Sequence, residues 1–314
     1  MTSSNHFAYI IAGGGAAGLS LALHLLRILS PEQRILIVDK DNKKTNDRTW
    51  CFWLKAEPPY KDILSYTWQK IRFHGTENFY KEYDLKEYQY HMLRGIDFYQ
   101  FAKSTLCADP RVQLEISAVK DITEESGTPV VHTDKGTFSA DWVFDSTFLI
   151  NQFNPEKRAI HLLMQHFRGW VLTTGKPVFD PSAVTMFDFR TAQNDAMRFI
   201  YILPFTTTHA LVEYTLFSDR LLDSIEYDTG LNQYLHEQLH LSDSDYQIEE
   251  VEDGIIPMTD YPFQRKLGNR ILATGTKGGV VKPSTGYAFL RIQKDSESIA
   301  RSLKEHGHPW HYFT

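Results

Sequence analysis

Apolar and polar residues follow three patterns along the chain, and each predicts a different kind of element. At the start, F-A-Y-I-I-A (7–12) is an unbroken apolar run, as expected of a strand buried on both faces. A-A-G-L-S-L-A-L-H-L-L-R-I-L (16–29) has a helical composition and stops at Ser30-Pro31, and R-I-L-I-V-D (34–39) is a second buried strand. Together they predict one βαβ unit of about 30 residues.

The middle of the chain reads differently. Residues 40–62 are polar, then aromatic, then broken by Pro58-Pro59. Aromatic and charged residues alternate through 66–90 and suggest a hairpin of Y-T-W-Q-K-I-R-F-H and F-Y-K-E-Y-D-L. A helix follows over 95–107, then short strands at 112–118, 129–133 and 137–144, the last two joined at Asp134-Lys135-Gly136. From 162 to 216 one strand succeeds another, and a helix at 219–240 and a strand near 247–256 close this region. A buried strand (270–274), a glycine-rich turn and a helix (288–304) end the pattern.

A βαβ start and a late strand–turn–helix therefore bracket a mostly antiparallel middle. The predicted class is α/β: a Rossmann-type nucleotide-binding domain with an inserted, mostly antiparallel β-sheet domain. The domains are drawn as 1–62, 91–150 and 263–306 for the nucleotide, 63–90 and 151–262 for substrate, and 307–314 as a C-terminal tail.

The net charge of −6, from 33 basic and 39 acidic residues, gives no basic face for nucleic acid. Cys51 and Cys107 form no metal-ligand spacing and no disulfide framework, so free thiols are expected. Residues 7–29 lack a basic leader and are interrupted by three glycines, unlike a signal peptide. No run reaches the roughly 18 apolar residues of a membrane span, so any membrane contact is expected to be peripheral.

Gly13-x-Gly15-x-x-Gly18 ends the first strand and opens the helix. The first glycine allows the tight turn, the second admits a pyrophosphate, and the third lets helix and strand pack closely. Asp39 ends the second strand, where an acid can bind ribose hydroxyls. The motif alone does not separate FAD from NAD. Its N-terminal position leans towards FAD, as does the second glycine-rich stretch T-G-T-K-G-G-V-V-K-P-S-T-G-Y (274–287), whose helix N-terminus suits a flavin edge.

Glu213 stands inside the strand-like T-H-A-L-V-E-Y-T-L-F-S, where glutamate is depleted. One reading is an edge residue facing solvent, or one paired with Arg190 or Arg198. The other is a buried carboxylic acid, held protonated by its surroundings.

Several blocks, in order, resemble the lycopene cyclase family of flavoproteins. They are Y-I-I-A-G-G-G-A-A-G-L (9–19), N-D-R-T-W-C-F-W (46–53), M-Q-H-F-R-G-W (164–170), M-F-D-F-R (186–190), L-V-E-Y-T (211–215), D-G-I-I-P-M-T (253–259) and K-P-S-T-G-Y (282–287). The resemblance implies FAD at Gly13, Gly15, Gly18 and Asp39, with Arg48 near the nucleotide. It implies that Gly275, Gly278, Gly279, Pro283, Thr285 and Gly286 close over the flavin. Gly275-Thr276 stands where the wider class often has Gly-Asp, so no carboxylate contact carries over there. The family continues with more helices past this point, whereas this chain stops at G-H-P-W-H-Y-F-T.

The implied activity is a redox-neutral cyclisation of acyclic lycopene end groups to β-ionone rings over reduced FAD, with NADPH only charging the flavin. Glu213 matches the family's essential acid. A second acid that follows it in the family is Tyr214 here, so a scheme with adjacent carboxylates does not carry over. Trp50, Phe52 and Trp53 are either aromatic walls for a cation or core packing. Asp188 and Arg190 read as a structural ion pair. Cytoplasmic protein peripheral to the inner membrane face is the expected location. The competing reading is a flavin monooxygenase or isoprenoid reductase of the same fold.

Overall fold

The computed structural model describes residues 5–150, 153 and 160–312. The chain divides into two compact units, Met1–Thr45 with Gly95–Arg158 and Tyr261–Thr314, and Asn46–Arg94 with Ala159–Asp260.

The first unit is built on the apolar runs at the chain's start. Strands β1 (His6–Ala12) and β2 (Ile35–Asp39) are almost wholly buried and pair in parallel around helix α1 (Ala16–Leu26). β1 also pairs in parallel with β11 (Gly136–Asp145), and β2 with β8 (Val112–Ile116). β17 (Ile271–Ala273) joins β11 in parallel. This continuous parallel layer explains why its strands read as apolar runs rather than alternating ones. α1 packs against α2 (Gly95–Cys107) and α4 (Phe289–His306). β9 (Val119–Glu125) and β10 (Thr128–Thr133) extend the sheet as antiparallel hairpin strands. β9 was not expected, because V-K-D-I-T-E-E buries no residue fully and so carries no apolar signal.

The second unit centres on a seven-stranded sheet. Its strands are β5 (Lys70–His74), β6 (Tyr80–Asp84), β12 (Leu162–Thr174), β13 (Ala183–Asp188), β14 (Met197–Pro204), β15 (His209–Ser218) and β16 (Tyr246–Thr259). Their order is β16-β12-β15-β14-β13-β5-β6. All pairs are antiparallel except β13 with β5. Helix α3 (Ser224–Leu239) covers one face. Its Leu231, Tyr234 and Leu235 pack on Trp170, Leu172, Ile200, Val212, Tyr214 and Leu216. The helix begins later than 219 because Asp223 and Glu226 form a reciprocal capping box.

A three-stranded sheet, β3 (Thr49–Leu54), β7 (Gln89–Arg94) and β4 (Tyr66–Trp68), is bonded to the other face. Trp68 Nε1 donates to the Pro204 carbonyl at 3.2 Å, and the Tyr90 and Tyr201 hydroxyls meet at 2.7 Å. Two expectations need correction here. Residues 46–62 belong with the second unit, because β3 pairs along its whole length with β7. The run 66–74 is not one strand: it breaks at Gln69, whose side chain donates to the Lys86 and Tyr88 carbonyls, and its halves enter different sheets. The unit boundaries also differ at 91–94, which lie in the second unit, and at 151–158, 261–262 and 307–314, which lie in the first.

Among the described residues, no helix is long and apolar enough to cross a membrane.

Candidate active site

In the first unit the glycine motif forms the turn between β1 and α1. Gly13 has φ +102°, and its N–H donates to the Val38 carbonyl at 2.8 Å. A side chain on Gly18 would put its Cβ 1.9 Å from the Gly13 carbonyl oxygen and 2.8 Å from Ile11 Cγ2. Gly18 therefore sets how closely α1 approaches β1. Gly15 differs: it precedes the first turn of α1, its φ of −82° is ordinary, and a Cβ there would meet nothing within 4 Å. That open side lies at a helix N-terminus, where N–H groups lack intrahelical partners. The residues present thus fit a phosphate-bearing dinucleotide. Asp39 sits at the end of β2 within the same turn. It accepts the Gly14 N–H at 2.5 Å and the Asp41 N–H at 2.8 Å.

The second glycine stretch follows β17 in the same unit. Gly275, Gly279 and Gly286 have φ of 59°, 71° and 69°. A Cβ on Gly278 would lie 2.6 Å from the Ala273 carbonyl oxygen, so the turn is wound tightly onto the strand end. The Gly286 and Thr285 N–H groups both donate to the Lys282 carbonyl around Pro283, closing a turn just before α4. A neighbouring pair went unnoticed in the sequence: Lys277 Nζ donates to buried Asp145, which also accepts the Thr147 N–H at 2.9 Å and hydroxyl at 2.6 Å. Arg48 lies in the second unit, not in the one that holds the glycine turn.

The second unit holds the unusual glutamate. Glu213 is in mid-β15, 8 % exposed. Alternation along β15 sends Ala210, Val212, Tyr214 and Leu216 towards α3, and Leu211, Glu213 and Thr215 to the opposite face. The two arginine partners considered for it are engaged elsewhere. Arg190 pairs with Asp188 at 2.6 Å, an acid that also accepts the Tyr234 hydroxyl at 2.6 Å. Arg198 donates to the Tyr214 hydroxyl at 3.0 Å on the helix side. Glu213 instead accepts the Thr215 hydroxyl at 3.2 Å.

A second carboxylate shares that face, and the sequence did not single it out. Glu252 of β16 and Glu213 of β15 are both in register with Gly169 of β12, and Glu213 is also in register with Tyr201 of β14. Glu252 is 7 % exposed and takes two bonds from Thr49, the N–H to Oε1 at 2.7 Å and the hydroxyl to Oε2 at 2.6 Å. Position 214 could not have supplied such a partner, since it faces α3. Of the expected aromatic walls, Trp53 shares its side of β3 with Thr49 and Cys51 and packs 4.4 Å from Tyr90. Trp50 and Phe52 alternate to the other side, where Phe52 lies 5.5 Å from the His91 ring. Phe199 and Phe217 share the face of Glu213 at 6.2 Å, and Phe187 continues the cluster 4.7 Å from Phe199.

The electrostatics follow from this burial. Loss of water pushes the Glu213 carboxyl up to about 8, and the nearby Glu252 adds to the effect. Glu252 is also raised by burial, but the Thr49 donors and the Arg48 charge oppose this. Burial pushes the Cys51 thiol up to about 12, which a hydrogen bond with Tyr201 offsets only in part. The site thus presents a neutral carboxylic acid at neutral pH.

Two results are expected from the Glu213 shift. Any reaction needing the acid form should fall away as pH rises through about 8. Folding stability should respond as well. The folded state keeps a proton that an unfolded glutamate, ordinarily at 4.5, has lost, so stability declines between these values as pH rises. Glu213→Gln removes that decline. Its melting-temperature advantage over the parent should grow from pH 5 to 9, reflecting on the order of a few kcal/mol at most.

A family model described as lycopene cyclase protein matches residues 9–311. The chain is 22 % identical over 323 residues to the chloroplastic lycopene beta cyclase of Nicotiana tabacum, covering 93 % of this chain but 59 % of that protein. It is 25 % identical over 306 residues to the lycopene beta-cyclase of a Paracoccus species, covering 93 % and 72 %. The chain therefore spans about three-fifths of the plant relative's length. Among solved structures, a flavin-dependent brominase matches with a TM-score of 0.68 at 11 % identity, covering 98 % of this chain and 81 % of that one. The fold is accordingly α/β, a Rossmann-type FAD-binding fold carrying an inserted, mostly antiparallel sheet.

Proposed function

The chain belongs to the lycopene cyclase family, and from that premise we propose that it cyclises acyclic carotenoid end groups by acid initiation, with Glu213 as the proton donor. The observation that carries this reading is Glu213 itself: a carboxyl group buried in mid-strand and pushed up to about 8. Such a group is an acid at neutral pH. Its proton adds to the terminal double bond of the end group. The internal double bond attacks the resulting cation and closes the six-membered ring, and loss of a neighbouring proton gives the β-ionone product. No atom is gained or lost.

The sheet face that carries Glu213 suits this chemistry. Phe199, Phe217 and Phe187 offer apolar contact to a hydrocarbon and π-faces to a cation. The Tyr90 and Tyr201 hydroxyls, bonded to each other at 2.7 Å, lie on the same side. In the first unit, the turn of Gly13 and Gly15, with Gly18 holding α1 close to β1, would receive the FAD pyrophosphate, and Asp39 the ribose. The stretch from Gly275 through Gly278, Gly279, Pro283 and Thr285 to Gly286 would complete that site. Reduced FAD, when bound, supplies electron-rich character that steadies a cation, and NADPH supplies the electrons that reduce it. Lycopene lives in membranes, so we propose peripheral contact with one.

Expression in lycopene-accumulating cells, with chromatography of the pigments, tests the reading, and cyclic carotenoid is the expected result. Stoichiometry separates it from a redox enzyme of the same fold. Purified protein that consumes O₂ or NADPH one-for-one with product is no redox-neutral cyclase.

A further inference from the structure

We propose that Glu252 is a positioning residue for the Glu213 acid: a fixed carboxylate, set across Gly169, that keeps Glu213 protonated. This rests on the reading of Glu213 as the proton donor. Three observations carry it.

The first is the register. Glu252, Gly169 and Glu213 lie opposite one another on neighbouring strands, so both glutamates project from one face of the sheet. Their backbones are separated by two strand spacings, about 10 Å. The position between them has no side chain.

The second is how Glu213 uses that gap. A Cβ on Gly169 would lie 2.8 Å from Glu213 Cγ and 3.8 Å from its Cβ. The Glu213 side chain thus leans over the glycine, towards the strand that carries Glu252. Any larger residue at 169 would fill the space that the Glu213 side chain occupies.

The third is the unequal bonding of the two carboxyl groups. Both oxygens of Glu252 accept from Thr49, the N–H and the hydroxyl, at 2.7 and 2.6 Å. Glu213 accepts one longer bond, from Thr215 at 3.2 Å. Donors favour the charged form of an acid, and two close carboxylates disfavour double ionisation. When the two groups hold one proton between them, it therefore rests on Glu213, and the pair titrates as a unit. The groups facing it are Thr49 and Cys51 of β3, Tyr90 of β7, Tyr201 of β14 and Thr215 of β15. The nearby charges on Glu252 are Arg48 and Asp47, and Arg94 is bonded to Glu250 at 2.8 Å. The Cys51 thiol, pushed up to about 12, stays neutral and does not compete for the proton.

The test is an infrared titration of the buried protonated carboxyl in the flavin-loaded enzyme, set beside the pH–activity profile with lycopene. In Glu252→Gln, the midpoint of the Glu213 carboxyl band should fall by about one pH unit, and the alkaline limb of activity should fall with it. Glu252→Asp, which keeps the charge, should restore much of the shift. A midpoint that does not move overturns the proposal. So does a loss of thermal stability without that movement, which means that Glu252 only braces β3. If Glu252→Gln does not fold, Glu213→Gln answers the question. If Glu252 is the ionised partner, the protonated band should then vanish at pH 7. A band that persists puts the proton on Glu252 and overturns the proposal. The infrared midpoint needs no turnover, so the two claims fail separately. Cyclisation by Glu213→Gln removes the acid assignment. An inactive Glu213→Gln with an unmoved Glu252→Gln midpoint removes only the role given to Glu252.

Discussion

Glu213→Gln should abolish ring formation while leaving the fold and the flavin content intact. Glutamine matches the neutral acid in size and polarity, and the site already hosts the neutral form, because burial pushes the carboxyl up to about 8. The Thr215 hydroxyl can still donate to the amide oxygen. The substitution is therefore mild for folding. It is severe for chemistry, because an amide has no proton acidic enough to add to an alkene. General acid catalysis is worth roughly 10²- to 10⁴-fold, and in the proposed mechanism it opens the only route to the cation, so the loss should reach the top of that range. Turnover of lycopene by purified variant and parent, with flavin absorbance and melting temperature as controls, decides it. Parent-like product from a folded, yellow variant removes Glu213 from the mechanism. Glu213→Asp should recover little, since one methylene less withdraws the acid over Gly169.

The sequence carried some of this site and not the rest, for physical reasons. The βαβ start was legible because its order is local: strand, turn, helix and strand follow within 39 residues, each with its own apolar pattern. Glu213 stood out because a charge in mid-strand breaks the local pattern. Glu252 did not. It sits in E-E-V-E-D-G, a run whose outer residues are solvent-facing acids, and nothing in it marks one acid as buried. Its burial comes from pairing with β12 and from Thr49, 203 residues away in the chain. Register across non-neighbouring strands is a long-range property, set by packing of the whole face. β3 was missed for the same reason: T-W-C-F-W-L is half-buried on both sides and gains its strand character from β7. Tyr214 shows the converse. It seemed to stand in place of a helpful acid, yet alternation turns it to α3, where its ring lies so close to Gly230 that a Cβ there would sit 2.7 Å from it.

Gly15→Val should give folded protein that binds no flavin, whereas Gly18→Ala should give strongly destabilised protein. The two glycines belong to one motif, but the space around them differs. At Gly18 even a methyl group would be 1.9 Å from the Gly13 carbonyl oxygen, far inside contact distance, and the oxygen belongs to backbone that cannot swing aside. α1 would have to lift from β1, in the middle of a layer where Ile10, Ile11, Leu19 and Leu25 are completely buried. Overpacking of this kind costs about 1–3 kcal/mol or more, a large share of a domain's stability. At Gly15 a side chain meets nothing within 4 Å, and the extended φ of −82° suits valine. The room it would occupy is the room a pyrophosphate needs at the helix N-terminus. Thermal melts without added flavin should therefore leave Gly15→Val near the parent and put Gly18→Ala well below it. Titration with FAD should raise the melting temperature of the parent and leave that of Gly15→Val unmoved. Flavin retained by Gly15→Val would place the dinucleotide elsewhere. A Gly18→Ala as stable as the parent would mean that the helix–strand contact tolerates a methyl group, and that the third glycine of the motif is not there for packing.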